Sequence, residues 1–240
     1  MNHFIIFILS AFLIANSQAA DWSNTRISFL SGGGYANPVN NENDIAYDII
    51  TLEHVSGWKY GDHFFFTDMM DTNSKDTALY TEWSPRFSLK KIFGLNDKFQ
   101  GIISDVLVAG QLNIAPGARK TELFGFGLDL NIPGFNFFQF NYYIRDNRAL
   151  EGQSQQITLV WESTFKVGVP LKFTGFLDYA TKEGNNDSGI AEANTLAQPQ
   201  LVWMLSETFE FGIEQQYWQN KYGIDGLDES VTQVLVNWNL

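Results

Sequence analysis

The sequence predicts an all-β protein: a transmembrane antiparallel β-barrel of about twelve strands, preceded by a cleaved signal peptide. Three observations predict it. Segments of about ten residues alternate apolar and polar side chains, the period of a strand with one face in lipid and the other in water. The links between them alternate long and short, as loops and turns do at the two ends of an outer-membrane barrel. An apolar N-terminal run followed by small residues has the form of an export signal.

The signal comes first in the chain. Phe4 to Ile14 is apolar but for Ser10, and Ser17-Gln18-Ala19 supplies the small residues that a signal peptidase reads. The run is too short to span a bilayer as a helix, which takes roughly 20 apolar residues. Residues 1–20 therefore read as the signal and 21–240 as one barrel domain in the bacterial outer membrane, with both termini periplasmic.

Composition narrows the function. The net charge is −12, which disfavours binding to nucleic-acid polymers, since these are held by Lys and Arg. There is no cysteine, so thiol nucleophiles and Cys-ligated metals are excluded; no metal and no cofactor is expected. After the signal the chain holds two histidines, His54 and His63, and neither sits in a recognisable Ser/His/acid arrangement. The chain does not read as an enzyme.

Strand one runs near Asn24–Leu30 and leads into a long Gly/Asn/Pro loop. Strand two, near Asp44–His54, has an ambiguous face because Ile49, Ile50 and Leu52 break the alternation. Strand three covers Trp58–Thr67, followed by the acidic loop DMMDTNSKDT. Strand four, Ala78–Leu89, sets Tyr80, Glu82, Ser84 and Arg86 against Leu79, Trp83 and Phe87, and leaves through a turn at Lys90–Lys98. Strands five (Gln100–Asn113) and six (Glu122–Leu130) carry Asp105 and Asp129 on their polar faces. Strand seven sets Phe140, Tyr142 and Ile144 against Asn141, Tyr143 and Arg145. Strand eight follows around Ile157–Glu162. Strand nine sets Leu171, Phe173 and Leu177 against Lys172, Phe176 and Asp178. After the polar segment KEGNNDSGIAEANT come strand ten at Leu201–Leu205 and strand eleven at Phe209–Glu214, the latter with Glu210 and Glu214 on its polar face. Strand twelve ends the chain, with Val234, Val236 and Trp238 on one face and Gln233 and Asn237 on the other. A barrel needs such a last strand to pair with the first, because an open edge in lipid leaves backbone groups unsatisfied.

If the apolar face meets lipid, the polar face is the lumen. A plain pore needs charges there but no rings, and here Tyr80, Tyr143 and Phe176 share the face with carboxylates and cations. Rings stack on planar solutes, carboxylates accept hydroxyls, and Arg or Lys bond carbonyls. The competing role is structural: lumen charges brace a narrow barrel, as a Glu82–Arg86 pair would. In the Phe64-Phe65-Phe66 run, Phe64 and Phe66 share one face and Phe65 the other. The proximity of a loop assigns Phe64 and Phe66, with Tyr60, to an interfacial aromatic girdle, and Phe65 to the lumen.

The block W-K-Y-G-D-x-F-F-F-x-D at Trp58–Asp68, followed by L-Y-x-E-x-S-P-R-F-S-L at Leu79–Leu89, resembles the nucleoside-specific channel-forming outer-membrane proteins, the Tsx and OmpK group. The resemblance implies a twelve-stranded monomeric barrel that passes nucleosides. It also implies contact with outer-membrane lipid and lipopolysaccharide, and, as for some of that group, service as a bacteriophage or colicin receptor. It assigns solute binding to Phe65, Tyr80, Glu82 and Arg86; alternation alone adds Tyr143, Arg145, Phe176 and Asp178. The alternative is a general or plugged structural barrel acting as a surface receptor.

Overall fold

A computed structural model describes residues 20–37, 42–71 and 77–240. Apart from Ala20, the signal segment falls outside them. The strands are β1 (Trp22–Asn37), β2 (Glu42–Trp58), β3 (Gly61–Asp71), β4 (Thr77–Ser88), β5 (Ile103–Ala115), β6 (Arg119–Leu130), β7 (Phe137–Asn147), β8 (Ser154–Val167) and β9 (Val169–Ala180). They continue with β10 (Glu183–Asn185), β11 (Gly189–Ala191), β12 (Asn194–Ala197), β13 (Gln200–Met204), β14 (Phe209–Gln219) and β15 (Glu229–Asn239). Each barrel strand pairs antiparallel with its neighbours, and β15 closes the ring on β1 from Arg26↔Asn239 to Gly32↔Gln233. Closure removes both edges, so every wall strand finds its ladder partners within the barrel. β12 and β13 fill one position between β9 and β14, interrupted where Pro199 offers no N–H to the ladder. The ring therefore has twelve positions, and each of the twelve expected strands is in the wall.

The differences lie in the connections. β1 runs on through the Gly run to Asn37 with register shifts at Gly33/Tyr35 and Tyr35/Ala36, so most of the expected first loop is strand. β-Bulges absorb the glycines and twist the hairpin without ending it. The exit from β4 holds a short helix, α1 (Leu89–Phe93), where the Ser88 hydroxyl accepts from Lys91 N–H at 2.9 Å and Gly94 closes the end at φ 64°. The polar segment after β9 folds as the small hairpin β10–β11. Asp21 and Leu240 lie at the end of the barrel that carries the short turns: their N–H groups bond Gly57 O and Thr25 O.

The two faces separate as alternation dictates. On β14 and β15, Phe209, Phe211, Ile213, Val234, Val236 and Trp238 are exposed outward, while Glu210, Glu214, Val231, Gln233, Leu235 and Asn237 are buried inside. The outer face is an apolar belt rimmed with rings. At the turn end Trp58 meets Tyr60 and Phe87 edge-on at 5.7 Å, and Phe209 stacks on Trp238. Such a belt with aromatic borders matches a bilayer and its interfaces.

Inside, two glycines let the wall pack inward. Gly212 stands between Val202 and Leu235 in one row across the sheet, and Gly125 between Ala109 and Tyr143 in another. In each row the flanking side chains close into a dry patch: Val202, Val231 and Leu235 with Leu30, Ile49 and Tyr35 on one side, Ala109, Leu123 and Tyr143 on the other. A Cβ at Gly125 would stand 1.9 Å from Tyr142 O and 2.9 Å from Tyr143 Cα, so backbone would have to move. Gly125→Ala is therefore expected to cost about 1–3 kcal/mol, the range for overpacking. The check is the temperature at which the folded band is lost on a heat-modifiability gel; an unchanged temperature contradicts it.

Candidate functional site in the lumen

The lumen wall at β3–β4 carries rings and carboxylates side by side. Phe66 stands opposite Glu82, and Asp68 opposite Tyr80, across the strand pair. The Phe64 and Phe66 rings lie 5.8 Å apart, and Phe66 and Tyr80 5.9 Å apart, so three partly exposed rings climb the wall together. Beside them the Tyr80 hydroxyl donates to Glu82, whose other oxygen accepts from Gln111 Nε2 at 2.9 Å. Gln111 also donates to Asn113 Oδ1 at 2.9 Å.

This corrects the reading of the phenylalanine run. Phe65 pairs with His54 and Trp83 on the outer face, and Phe64 and Phe66 face the lumen. The division of the run into two faces was legible, and the signal for the wet one is the parity of Asp62 and Asp68, which Phe64 and Phe66 share. Register agrees: Phe66 is opposite Glu82, and residues directly opposite share a face. On the outer face His54 bonds Thr25 through Nδ1, and His63 bonds Ser56 through Nε2, both at 2.8 Å.

Arg86 is 5% exposed. Its guanidinium grips Asp62 with two bonds, at 2.8 and 2.9 Å, and Asp129 with a third at 2.9 Å. The bracing role is thus real for Arg86, but its partners come from β3 and β6 and not from Glu82. Tyr143 faces inward at 2% exposure, packed in its dry patch. Arg145 is bound by Glu183 of β10, which also accepts from Ser154 Oγ at 2.8 Å and Asn147 N–H at 2.6 Å. Phe176 and Asp178 lie inward on β9, where Asp178 accepts from the Thr158 hydroxyl. The structure therefore brings Tyr80, Glu82, Phe64 and Phe66 together on one wall and sets Asp178 on another. It gives Arg86 and Arg145 to ion pairs and Tyr143 to packing.

Two further features were not read from the sequence. Near the turn end, Lys172 Nζ bonds Glu210 at 2.6 Å, and Glu210 also accepts from Asn237 at 3.0 Å. At the loop end, the turn after β14 inserts Lys221 among the Tyr35, Trp218 and Tyr222 rings, 5.1–5.6 Å from their centres, and onto Glu229 at 2.5 Å. Burial pulls the Lys221 ammonium below the ordinary lysine value, while Glu229 pulls it up.

Among solved structures the chain is similar to the KdgM porin, with 10% identity, 89% of this chain and 98% of that chain covered, and a TM-score of 0.53. It is similar to the NanC porin with 11% identity, coverage of 91% and 100%, and a TM-score of 0.56. The fold is that of these porins. A further KdgM structure is of a complex with disordered oligogalacturonate, matched at the same TM-score of 0.53. No family model matches the chain, and no curated protein does. The porin-like fold is shared at an identity too low to carry a solute across, so the lumen's own side chains have to argue for one.

Proposed function

We propose that this protein is an outer-membrane channel that weakly binds and passes nucleosides, sitting in lipid as a monomer with both termini periplasmic. The observation that carries the reading is the Phe64–Phe66–Tyr80 ladder beside Glu82. A flat base stacks on such rings at roughly 1–3 kcal/mol per base. Glu82 and Asn113 offer acceptors to ribose hydroxyls. Weak binding suits a conduit, because the solute must leave as readily as it enters. The porin-like fold and the apolar outer belt support the channel half of the reading. KdgM's oligogalacturonate complex supports passage of a small solute through such a barrel.

The test is single-channel current in a planar bilayer with adenosine, thymidine or glucose added. Nucleoside block that is absent with glucose is expected. Loss of one ring in Tyr80→Ala or Phe66→Ala is expected to weaken it about ten-fold, within the range for one stacking contact. Equal effects of nucleoside and glucose would leave a general pore.

A second reading, a plugged barrel serving as a phage or colicin receptor, is favoured by the loop-end elements that fold onto the wall: the β10–β11 hairpin through Glu183 and the Lys221 turn through Glu229. Absence of any conductance would select it.

A further inference from the structure

Two segments leave the loop end of the barrel and turn inward: the hairpin β10–β11, which follows β9, and the turn 220–228, which follows β14. Each is fixed to inward-facing groups of the wall. On one side Glu183 of β10 accepts from Arg145 of β7, from Ser154 Oγ of β8 at 2.8 Å and from Asn147 N–H at 2.6 Å. On the other, Lys221 donates to Glu229 of β15 at 2.5 Å and to Ala36 O of β1 at 3.2 Å. Ser154, Glu183, Lys221 and Glu229 are all buried, so neither anchor is a loose surface contact.

The two segments also join each other. Glu192 N–H bonds Gly223 O at 2.8 Å, and Asn220 Nδ2 bonds Ala193 O at 2.9 Å. At the join Gly223 lies against Ala191: a Cβ there would stand 2.6 Å from the Ala191 Cβ and 2.8 Å from its Cα. The position takes glycine for want of space and for its φ of 74°.

Ring order decides what the join connects. β7 and β1 stand six positions apart whichever way round the ring is counted, so they face each other across the lumen. Arg145 of β7 and Ala36 of β1 are thus linked by an unbroken run of contacts through Glu183, β11, Gly223 and Lys221. Both segments spring from the β9–β14 side. The other side, β2–β6, carries the Phe64–Phe66–Tyr80 ladder and, among the described residues, makes no hydrogen bond with either segment.

We propose that β10–β11 and the 220–228 turn form one bridge across the loop-end mouth, which covers its β9–β14 half and confines entry to a slit along β2–β6. The bridge then selects solutes by width and delivers them against the rings and Glu82. Pore selectivity follows the diameter and lining of the passage, and a flat solute passes a slit that a bulkier one does not. This rests on the channel reading above and not on the nucleoside as solute.

The test is single-channel conductance together with liposome swelling in glucose, sucrose and raffinose, for wild type, Gly223→Ala and the E183Q/K221M double variant. Gly223→Ala forces the join apart and keeps both anchors; the double variant releases the anchors and keeps the glycine. Each is expected to raise conductance about two-fold, as uncovering half of a mouth would, since passage follows pore width. Each should also bring the raffinose rate up toward that of glucose. A conducting wild type whose folded variants, by heat-modifiability, keep its conductance and its sugar ratios overturns the bridge alone. If the double variant does not fold, Gly223→Ala, which lies off the wall, decides. A silent wild type with conducting variants overturns the slit, because the bridge would then shut the whole mouth. Silence in all three overturns the channel reading and the bridge with it. A wild type that conducts but is not blocked by nucleosides loses the nucleoside, and the sugar series still decides the bridge.

Discussion

Replacing Arg86 with alanine is expected to cost about 3 kcal/mol of barrel stability while raising conductance. The physical reason is asymmetry. Arg86 brings three charge-assisted bonds to two carboxylates that come from strands on either side of its own, β3 and β6. Removing the guanidinium leaves Asp62 and Asp129 facing each other with no cation. Breaking a buried pair from one side costs roughly 3–5 kcal/mol because a charge is left uncompensated. The two carboxylates keep 22% and 30% exposure, so lumen water screens part of the loss and places it at the lower end. The control is the triple variant in which Arg86→Met is joined by Asp62→Asn and Asp129→Asn. Replacing a whole buried network is often neutral, so the triple variant should regain most of the stability. Heat-modifiability gels measure the first effect and single-channel conductance the second. A single variant as stable as wild type would mean that Arg86 does not brace the barrel.

The wall was legible in the sequence because a strand's period is two and lipid enforces it on one face. Alternation placed Phe211 outside and Glu210 inside without reference to any partner. Residues on polar faces went to the lumen for the same reason: Glu82, Arg86, Tyr143, Arg145, Phe176 and Asp178 all face inward. Alternation is hardest to phase where a run is itself apolar. Phe64-Phe65-Phe66 has no polar member, so its phase has to be taken from Asp62 and Asp68, which share the parity of Phe64 and Phe66; the register against Glu82 gives the same face. Partners are a second blind spot. Arg86 pairs with residues 24 and 43 positions away, and Arg145 with one 38 away, distances set by how strands are staggered around the ring. The resemblance to the nucleoside channels carried Phe65 into the site on the same uncertain phase; the ladder that stands in its place is built from the two neighbours assigned to the girdle. The bonds from Gln200 and Gln233 to Glu214 were invisible for a different reason: they arise only where the strands on either side of β14 place both amides on one carboxylate.

Lys221→Met is expected to release the turn after β14. Lys221 and Glu229 have side chains 4% and 0% exposed, so the ammonium and the carboxylate meet away from water. Lys221 Nζ also donates to Ala36 O at 3.2 Å, which ties the turn to the end of β1. The backbone around it is not relaxed: Asn220 and Tyr222 sit at φ 49° and 59°, the left-handed region that non-glycine residues seldom occupy. Such residues cost on the order of 1–3 kcal/mol each and persist only where surroundings impose them. The lysine joins the turn to Glu229, to Ala36 and to three rings at once, beside the bonds that Asn220 makes with Asp228, Ala193 and Gly226. Methionine keeps the apolar stem but none of the charge, leaving Glu229, among the described residues, with donors from Ala36 N–H and Gln216. Both the loss of the pair, at roughly 3–5 kcal/mol, and the strain then act in the same direction. The turn also carries the bond from Glu192 N–H to Gly223 O, so the chain beyond β11 should loosen with it. Limited proteolysis gives the measurement: cleavage between Asn220 and Asp228 should be fast in the variant and slow in wild type, with the barrel fragment intact in both. Equal resistance would mean that the surrounding backbone bonds, from Lys221 N–H to Leu227 O and from Gly223 N–H to Asn220 O, hold the turn without its lysine.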